Sequence, residues 1–177
     1  VAEPTDRGVF SSMAIAQPQS AIAFDDGPHP QHTPRLLDIL RERNIKATFF
    51  VLGSCVKQNP GVLRRIQAEG HEIGNHSWKH PVLSGLKEPK IFDELEQTQA
   101  VVEGVTGLRM NLMRPPYGAL TLSQKWWVNR VWNHRVILWD VDSLDWQHHD
   151  PLKPQRITLE TTKPGSIILC HDIHGTT

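Results

Sequence analysis

The chain has 177 residues, near the usual size of one domain and long enough to bury a substantial apolar core. Its 19 basic residues balance its 19 acidic ones, so no long-range positive field favours nucleic acid or an anionic membrane surface, and an uncharged partner fits better. No run of 18 apolar residues marks a membrane-spanning segment, the start Val1-Ala2-Glu3-Pro4 lacks both the basic and the apolar part of a signal peptide, and Cys55 and Cys170 are too few for a disulfide framework.

Residues 1–19 show no periodicity and read as an extension or first loop ahead of a catalytic domain over 20–177. The first strand is expected at Ala21–Phe24, followed by a helix in which Thr33 caps, Pro34 suits the first turn, and Leu36, Leu37 and Leu40 share a buried face. A strand over Ala47–Leu52 precedes a helix from Pro60 to Glu69 that Gly70 ends. After Glu72–Ile73 comes a longer helix from about Lys90 to Val105, with Gly107 just beyond. Strands at Asn111–Met113, Val136–Val141 and Ser166–Cys170 complete the set, with helices near Thr121–Trp132 and Pro154–Thr162 between them. Trp126, Trp127, Trp132 and Trp139 read as core.

Strands alternating with helices are the signal of parallel α/β architecture. The chemistry-bearing residues follow the strands: Asp25 and Asp26 the first, His76 and His80 the third, Arg114 the fourth, Asp142 and Asp145 the fifth, His171 and Asp172 the sixth. The C-terminal ends of parallel barrel strands converge on one face, so five loops would deliver these groups to one place. Six strands fall short of a complete barrel.

His76 and His80 are four residues apart, a spacing that would put both imidazoles on one side of a helical turn. Alone, such a pair is more often packing than ligation. Asp25-Asp26 after an apolar strand changes that reading, because adjacent acids repel unless a cation or positive side chain offsets them; in isolation Asp26-Gly27 would be a solvated turn. Two histidines and one carboxylate leave coordination positions open, as a catalytic metal requires. A lone His171 at a strand end is more often structural, Asp145 could be a solvated helix start, and Arg114 could pair with a surface acid.

Taken together, Phe24-Asp25-Asp26-Gly27-Pro28, His76-Ser77-Trp78-Lys79-His80, Arg114-Pro115-Pro116-Tyr117-Gly118, Asp142-Ser143-Leu144-Asp145-Trp146 and Leu169-Cys170-His171 resemble the NodB-type polysaccharide deacetylases, the family-four carbohydrate esterases. The resemblance implies an irregular (β/α) barrel of about seven strands, incomplete at its C-terminal end because family members usually continue past the point where Thr177 stands. It implies a hydrolase that removes N-acetyl, or O-acetyl, groups from a carbohydrate such as chitin or peptidoglycan, working secreted, in the periplasm or in the cell envelope. Asp26, His76 and His80 would hold a divalent ion, zinc first, with cobalt, nickel or manganese acceptable to the same ligands. Asp25 would be the general base, Arg114 its partner, and Tyr117 an N–H donor to the oxyanion. His171 would be the general acid, oriented by Asp145, with Trp146, Leu169, Pro115 and Tyr117 against the substrate. Ala23 stands where the family commonly has a threonine one step earlier in the first motif, a change that removes no catalytic group.

Three other readings fit parts of the pattern. A non-haem iron oxygenase shares the two-histidine, one-carboxylate set but gives no use to the second acid, the arginine and the distant histidine. A binding module would have no need to fill every catalytic position. A Cys170–His171 hydrolase fails because strand neighbours point to opposite faces.

Overall fold

A computed structural model of the chain describes residues 8–148 and 150–175. The elements run β1 Val9–Phe10, β2 Ala21–Asp25, α1 His32–Glu42, β3 Thr48–Val51, α2 Gly53–Gln58, α3 Pro60–Ala68 and β4 Glu72–Asn75. Then follow α4 Glu88–Thr106, β5 Leu112–Met113, α5 Leu122–Arg130, β6 Arg135–Ile137, β7 Val141–Asp142, α6 Leu152–Thr161 and β8 Ile167–His171. All strand pairs are parallel, in the order β1-β6-β5-β4-β3-β2-β8-β7. The expected α/β barrel is therefore present, as an open sheet of eight strands among the described residues instead of about seven.

The extra strands have physical causes. Within the expected leading segment, residues 1–7 lie outside the described residues, whereas Val9–Phe10 pairs with Val136 and Ile137. Two residues are too few to show a period of two. The apolar run Val136–Val141, read as one strand, is two: β6 bonds to β5 and β1, while β7 bonds to β8 at the far edge. Across a flat sheet β6 and β7 would be six strand spacings apart, about 29 Å. The connection Leu138-Trp139-Asp140 spans at most about 14 Å fully extended, so the sheet must curl until its edges face each other. Leu138 N–H donates to Phe10 at 2.7 Å and Asp140 N–H to Ile167 at 3.2 Å, which makes this short connection the seam of the curled sheet.

Alternation along the strands then sorts side chains between the outside, under the helices, and the inside. Phe24, Phe49, Val51, Ile73 and Cys170 pack outward with Leu37, Val56, Leu63 and Val102 of the helices. A second cluster joins Leu83, Ile91, Leu95, Met113, Val128 and Val136 under α4 and α5. Leu37 and Leu40 are buried as expected and Leu36 is half-buried. Thr33 is not the α1 cap: the helix starts at His32, and the buried Thr33 hydroxyl accepts from His29 N–H at 2.8 Å and donates to Asp172 at 2.5 Å. Thr121 does cap α5, in a reciprocal capping box with Gln124. Trp126 is 48% exposed, Trp127 and Trp132 pack partly buried against the second cluster, and Trp139 faces a cavity, so the tryptophans are not uniformly core. No helix among the described residues is long and apolar enough to cross a membrane.

Candidate active site

Asp25 ends β2 and His171 ends β8, and the two are register partners in this parallel pair. The inward face of that pair thus carries both groups to one end of the sheet. Asp25 is buried, and one of its oxygens accepts from Arg114 Nη1 at 2.8 Å. Arg114 is fully buried, so its charge needs every donor matched. Nε donates to the Ile137 carbonyl at 3.1 Å and Nη2 to the Leu138 carbonyl at 3.0 Å, both at or beside the seam. The Phe50 ring lies 4.4 Å from the guanidinium carbon, on the other side of the charge. The other Asp25 oxygen is left toward His76, 3.6 Å from its Nε2.

Asp26 follows in a left-handed conformation (φ 76°), which turns its carboxylate into the cavity beside Asp25. His76 and His80 are not on a helical turn: they flank a loop after β4 in which Ser77 (φ 75°) and His80 (φ 63°) are left-handed. This conformation, and not helical spacing, makes the rings converge. His76 Nδ1 lies 2.7 Å from the Arg114 carbonyl, which can only accept, so Nδ1 carries the proton and Nε2 keeps a lone pair in the neutral ring. Nε2 of His76 and of His80 stand 3.3 Å and 3.4 Å from the same Asp26 Oδ1. That oxygen is buried and has no hydrogen-bond partner among the described residues. One ligand atom from each residue falls within 4.8 Å of the others, a set that fits a divalent cation. Burial disfavours the Asp26 carboxylate, yet His76, His80 and His171 together hold it below the ordinary aspartate range. Burial pushes His80 down, whereas at His76 the charges of Asp25 and Asp26 outweigh burial and raise it.

Across the cavity, the buried Asp145 carboxylate grips His171 twice, accepting from its backbone N–H at 2.7 Å and its ring Nδ1 at 2.7 Å. The two contacts fix both the strand end and the ring, leaving Nε2 free to face the cavity. Burial works against the imidazolium, but the Asp145 hydrogen bond and charge, with Asp25 and Asp26, raise His171 above its ordinary value.

The cavity between these groups measures about 350 Å³. Leu169 lies at its wall, and Tyr117 and Trp146 stand at its rim, 66% and 53% exposed. Tyr117 is left-handed (φ 59°), its ring meets His80 edge-on with centroids 4.6 Å apart, and its N–H has no acceptor among the described residues. Pro115, expected against substrate, is buried and does not line the cavity; it supplies the carbonyl that accepts Gly118 N–H. Trp139 and Asp142 do line it, although the sequence placed Trp139 in the core and gave Asp142 no role. Trp139 lies in the seam, whose crossing no local pattern announces. Asp172, named after the sixth strand but likewise given no role, is buried on the α1 side, and burial pushes its carboxyl up to about 7. Cys170 packs outward among apolar side chains with its thiol pushed by burial up to about 12, which removes it as a nucleophile.

Comparison with known proteins adds an independent line. A family model for polysaccharide deacetylases matches residues 15–136, which include Asp25, Asp26, His76, His80, Arg114 and Tyr117. The peptidoglycan-N-acetylglucosamine deacetylase of Listeria monocytogenes is 42% identical over 157 residues, 89% of this chain and 33% of that protein. The chitooligosaccharide deacetylase of Azorhizobium caulinodans is 38% identical over 161 residues, 89% of this chain and 76% of that one. Among solved structures, the Bc1960 peptidoglycan N-acetylglucosamine deacetylase matches with a TM-score of 0.91 at 33% identity, over 95% of this chain and 78% of that chain. The chain thus spans about a third of the length of the Listeria relative.

Proposed function

The chain belongs to the polysaccharide deacetylase family, and we propose that it hydrolyses N-acetyl groups on the amino sugars of a peptidoglycan- or chitin-like polymer, releasing acetate. The observation that carries this reading is the convergence of the Asp26–His76–His80 set, the Asp25–Arg114 pair and the Asp145–His171 pair on one cavity. Amide hydrolysis needs three things: an activated water, a stabilised oxyanion and a protonated leaving nitrogen. Each has a separate group here.

Asp26, His76 and His80 would hold the divalent ion, zinc in the first instance, with cobalt, nickel and manganese as substitutes. When bound, such an ion lowers the pKa of a coordinated water towards ~7 and polarises the acetyl carbonyl. Asp25 takes a proton from the attacking water as its oxygen bonds to the acetyl carbon, and Arg114 aims the carboxylate through the 2.8 Å contact. The Tyr117 N–H donates to the oxyanion of the tetrahedral species. His171 Nε2 then gives its proton to the nitrogen as the C–N bond breaks, while Asp145 holds the ring. Leu169 forms the apolar wall against the acetyl methyl, and Tyr117 and Trp146 offer ring faces to the sugar at the rim. The same chemistry reaches an O-acetyl ester, whose leaving group asks less of His171. This reading puts the enzyme where such polymers lie, secreted, in the periplasm or in the cell envelope.

Acetate release from peptidoglycan, N-acetylglucosamine oligomers and O-acetylated xylan, measured alongside the metal content of the purified protein, tests it. Release from an N-acetylated polymer that stops on chelation is expected; no release from any of the three, with one equivalent of metal bound, overturns it.

A further inference from the structure

The loop between the two metal-site histidines has four consecutive backbone N–H groups, at residues 77 to 80, and each donates to a side chain. Ser77 N–H donates to Asn75 Oδ1 at 2.9 Å, and His80 N–H to Ser77 Oγ at 3.0 Å. The two between them, Trp78 at 2.9 Å and Lys79 at 3.0 Å, share a single oxygen, Oε2 of Glu94. Glu94 lies far along the chain, on α4, and belongs to none of the motifs that mark the site. Its own helix is pinned independently, because Asn75 Nδ2 donates to the Leu95 carbonyl at 2.8 Å and Leu95 is fully buried.

The need for such an anchor follows from the backbone. A loop with left-handed residues at Ser77 and His80 lacks the repeating hydrogen bonds of a helix or strand, and non-glycine residues hold that conformation only where neighbours over-determine it. The carbonyls of the same loop are fixed by α2, through Gly53 N–H to Ser77 and Ser54 N–H to Trp78. Glu94 fixes its amides. Between them the position of His80 relative to His76 is set.

We propose that Glu94 is a positioning residue of the metal site, one that sets the His76–His80 geometry by clamping the Trp78 and Lys79 amides from α4. The inference rests on Asp26, His76 and His80 being the ligands. What the clamp requires is an acceptor oxygen at the right reach, so Glu94→Gln retains it through its amide oxygen, Glu94→Asp pulls the acceptor back by one methylene, and Glu94→Ala removes it.

The test is zinc affinity of the metal-free protein by competition with a chromophoric chelator, with the visible spectrum of the cobalt-loaded protein and the melting temperature of the metal-free protein alongside. Wild type is expected to bind one equivalent that His76→Ala and Asp26→Ala lose; failure there overturns the ligand assignment itself and leaves the clamp without a purpose. With that binding established, Glu94→Ala and Glu94→Asp are expected to weaken zinc about 10–100-fold, the usual cost of removing support behind a metal ligand, and to alter the cobalt spectrum, while Glu94→Gln stays within about threefold of wild type. A role confined to stability would lower the melting temperature and leave affinity and spectrum unchanged, which would overturn the proposal. If Glu94→Ala does not fold, the Asp and Gln variants decide: equal affinity in both, or a loss in Gln as large as in Asp, rejects the clamp.

Discussion

Asp25 and His171 sit at one level of adjacent strands, yet each owes its role to a different neighbour. Asp25→Asn keeps the shape and the Arg114 contact while removing the base. Turnover is expected to fall by about 10²–10⁴ with metal content unchanged, measured by acetate release and metal analysis on the same sample. Asp145 and His171 are proposed to act as one proton-delivery unit, so the losses from His171→Ala and Asp145→Asn are expected to overlap in a double-mutant cycle; fully multiplicative losses would separate them. The pH dependence follows from the same pair. His171 is raised above the ordinary histidine range, so as the proposed acid it is expected to support activity until pH rises through that higher value. Asp145→Asn removes the charge and is expected to move the alkaline limb of the rate profile to lower pH. The sequence picked these residues out through the five motifs and the resemblance they carry, and the structure pairs Asp25 with Arg114 and His171 with Asp145. Their geometry was not legible: nothing in the sequence shows that Asp26, Ser77, His80 and Tyr117 take left-handed backbone.

The strands illustrate the next scale, where alternation assigns one face to the core and the other to the site. Gly74 of β4 faces inward against Phe50, and a Cβ there would fall 2.4 Å from the Phe50 ring. Phe50 in turn underlies the Arg114 guanidinium. Gly74→Ala is therefore expected to destabilise the fold by about 1–3 kcal/mol, as overpacking does, and to lower kcat more than it changes KM. Denaturant unfolding and steady-state kinetics read the two effects; a normal kcat in a destabilised protein would show that Arg114 does not depend on Phe50. Helices α1, α3 and α4 were readable from apolar spacing and proline and glycine punctuation, whereas the Thr121 capping box of α5 emerged only in the structure. The helix α2 was not readable, being six residues long, and the histidine loop was mistaken for a helical turn because four-residue spacing has more than one backbone solution.

At the scale of the molecule, parallel α/β architecture was visible in the rhythm of the elements, whereas the curl was not, since it depends on a three-residue seam between opposite edges. A metal held by residues after β2 and β4 binds only the folded arrangement, so its removal is expected to lower stability by about 2.7 kcal/mol from a free concentration one hundred times its Kd. For a chain of this size that is a shift of several degrees in the thermal midpoint, about 2–4 °C per kcal/mol, read by melting with and without chelator. An unchanged midpoint would mean that the ligands do not form a site of that affinity. The strand order carries one more consequence, for synthesis. Among the described strands β8 is the last made, yet it lies inside the sheet between β2 and β7. Until residues 167–171 leave the ribosome, the apolar strand Ala21–Asp25 has an open edge that another nascent chain could pair with. Asp25 and His171, the proposed base and acid, are thus brought together by the same late event that closes this edge, and a chain stalled before it is expected to be both inactive and adhesive.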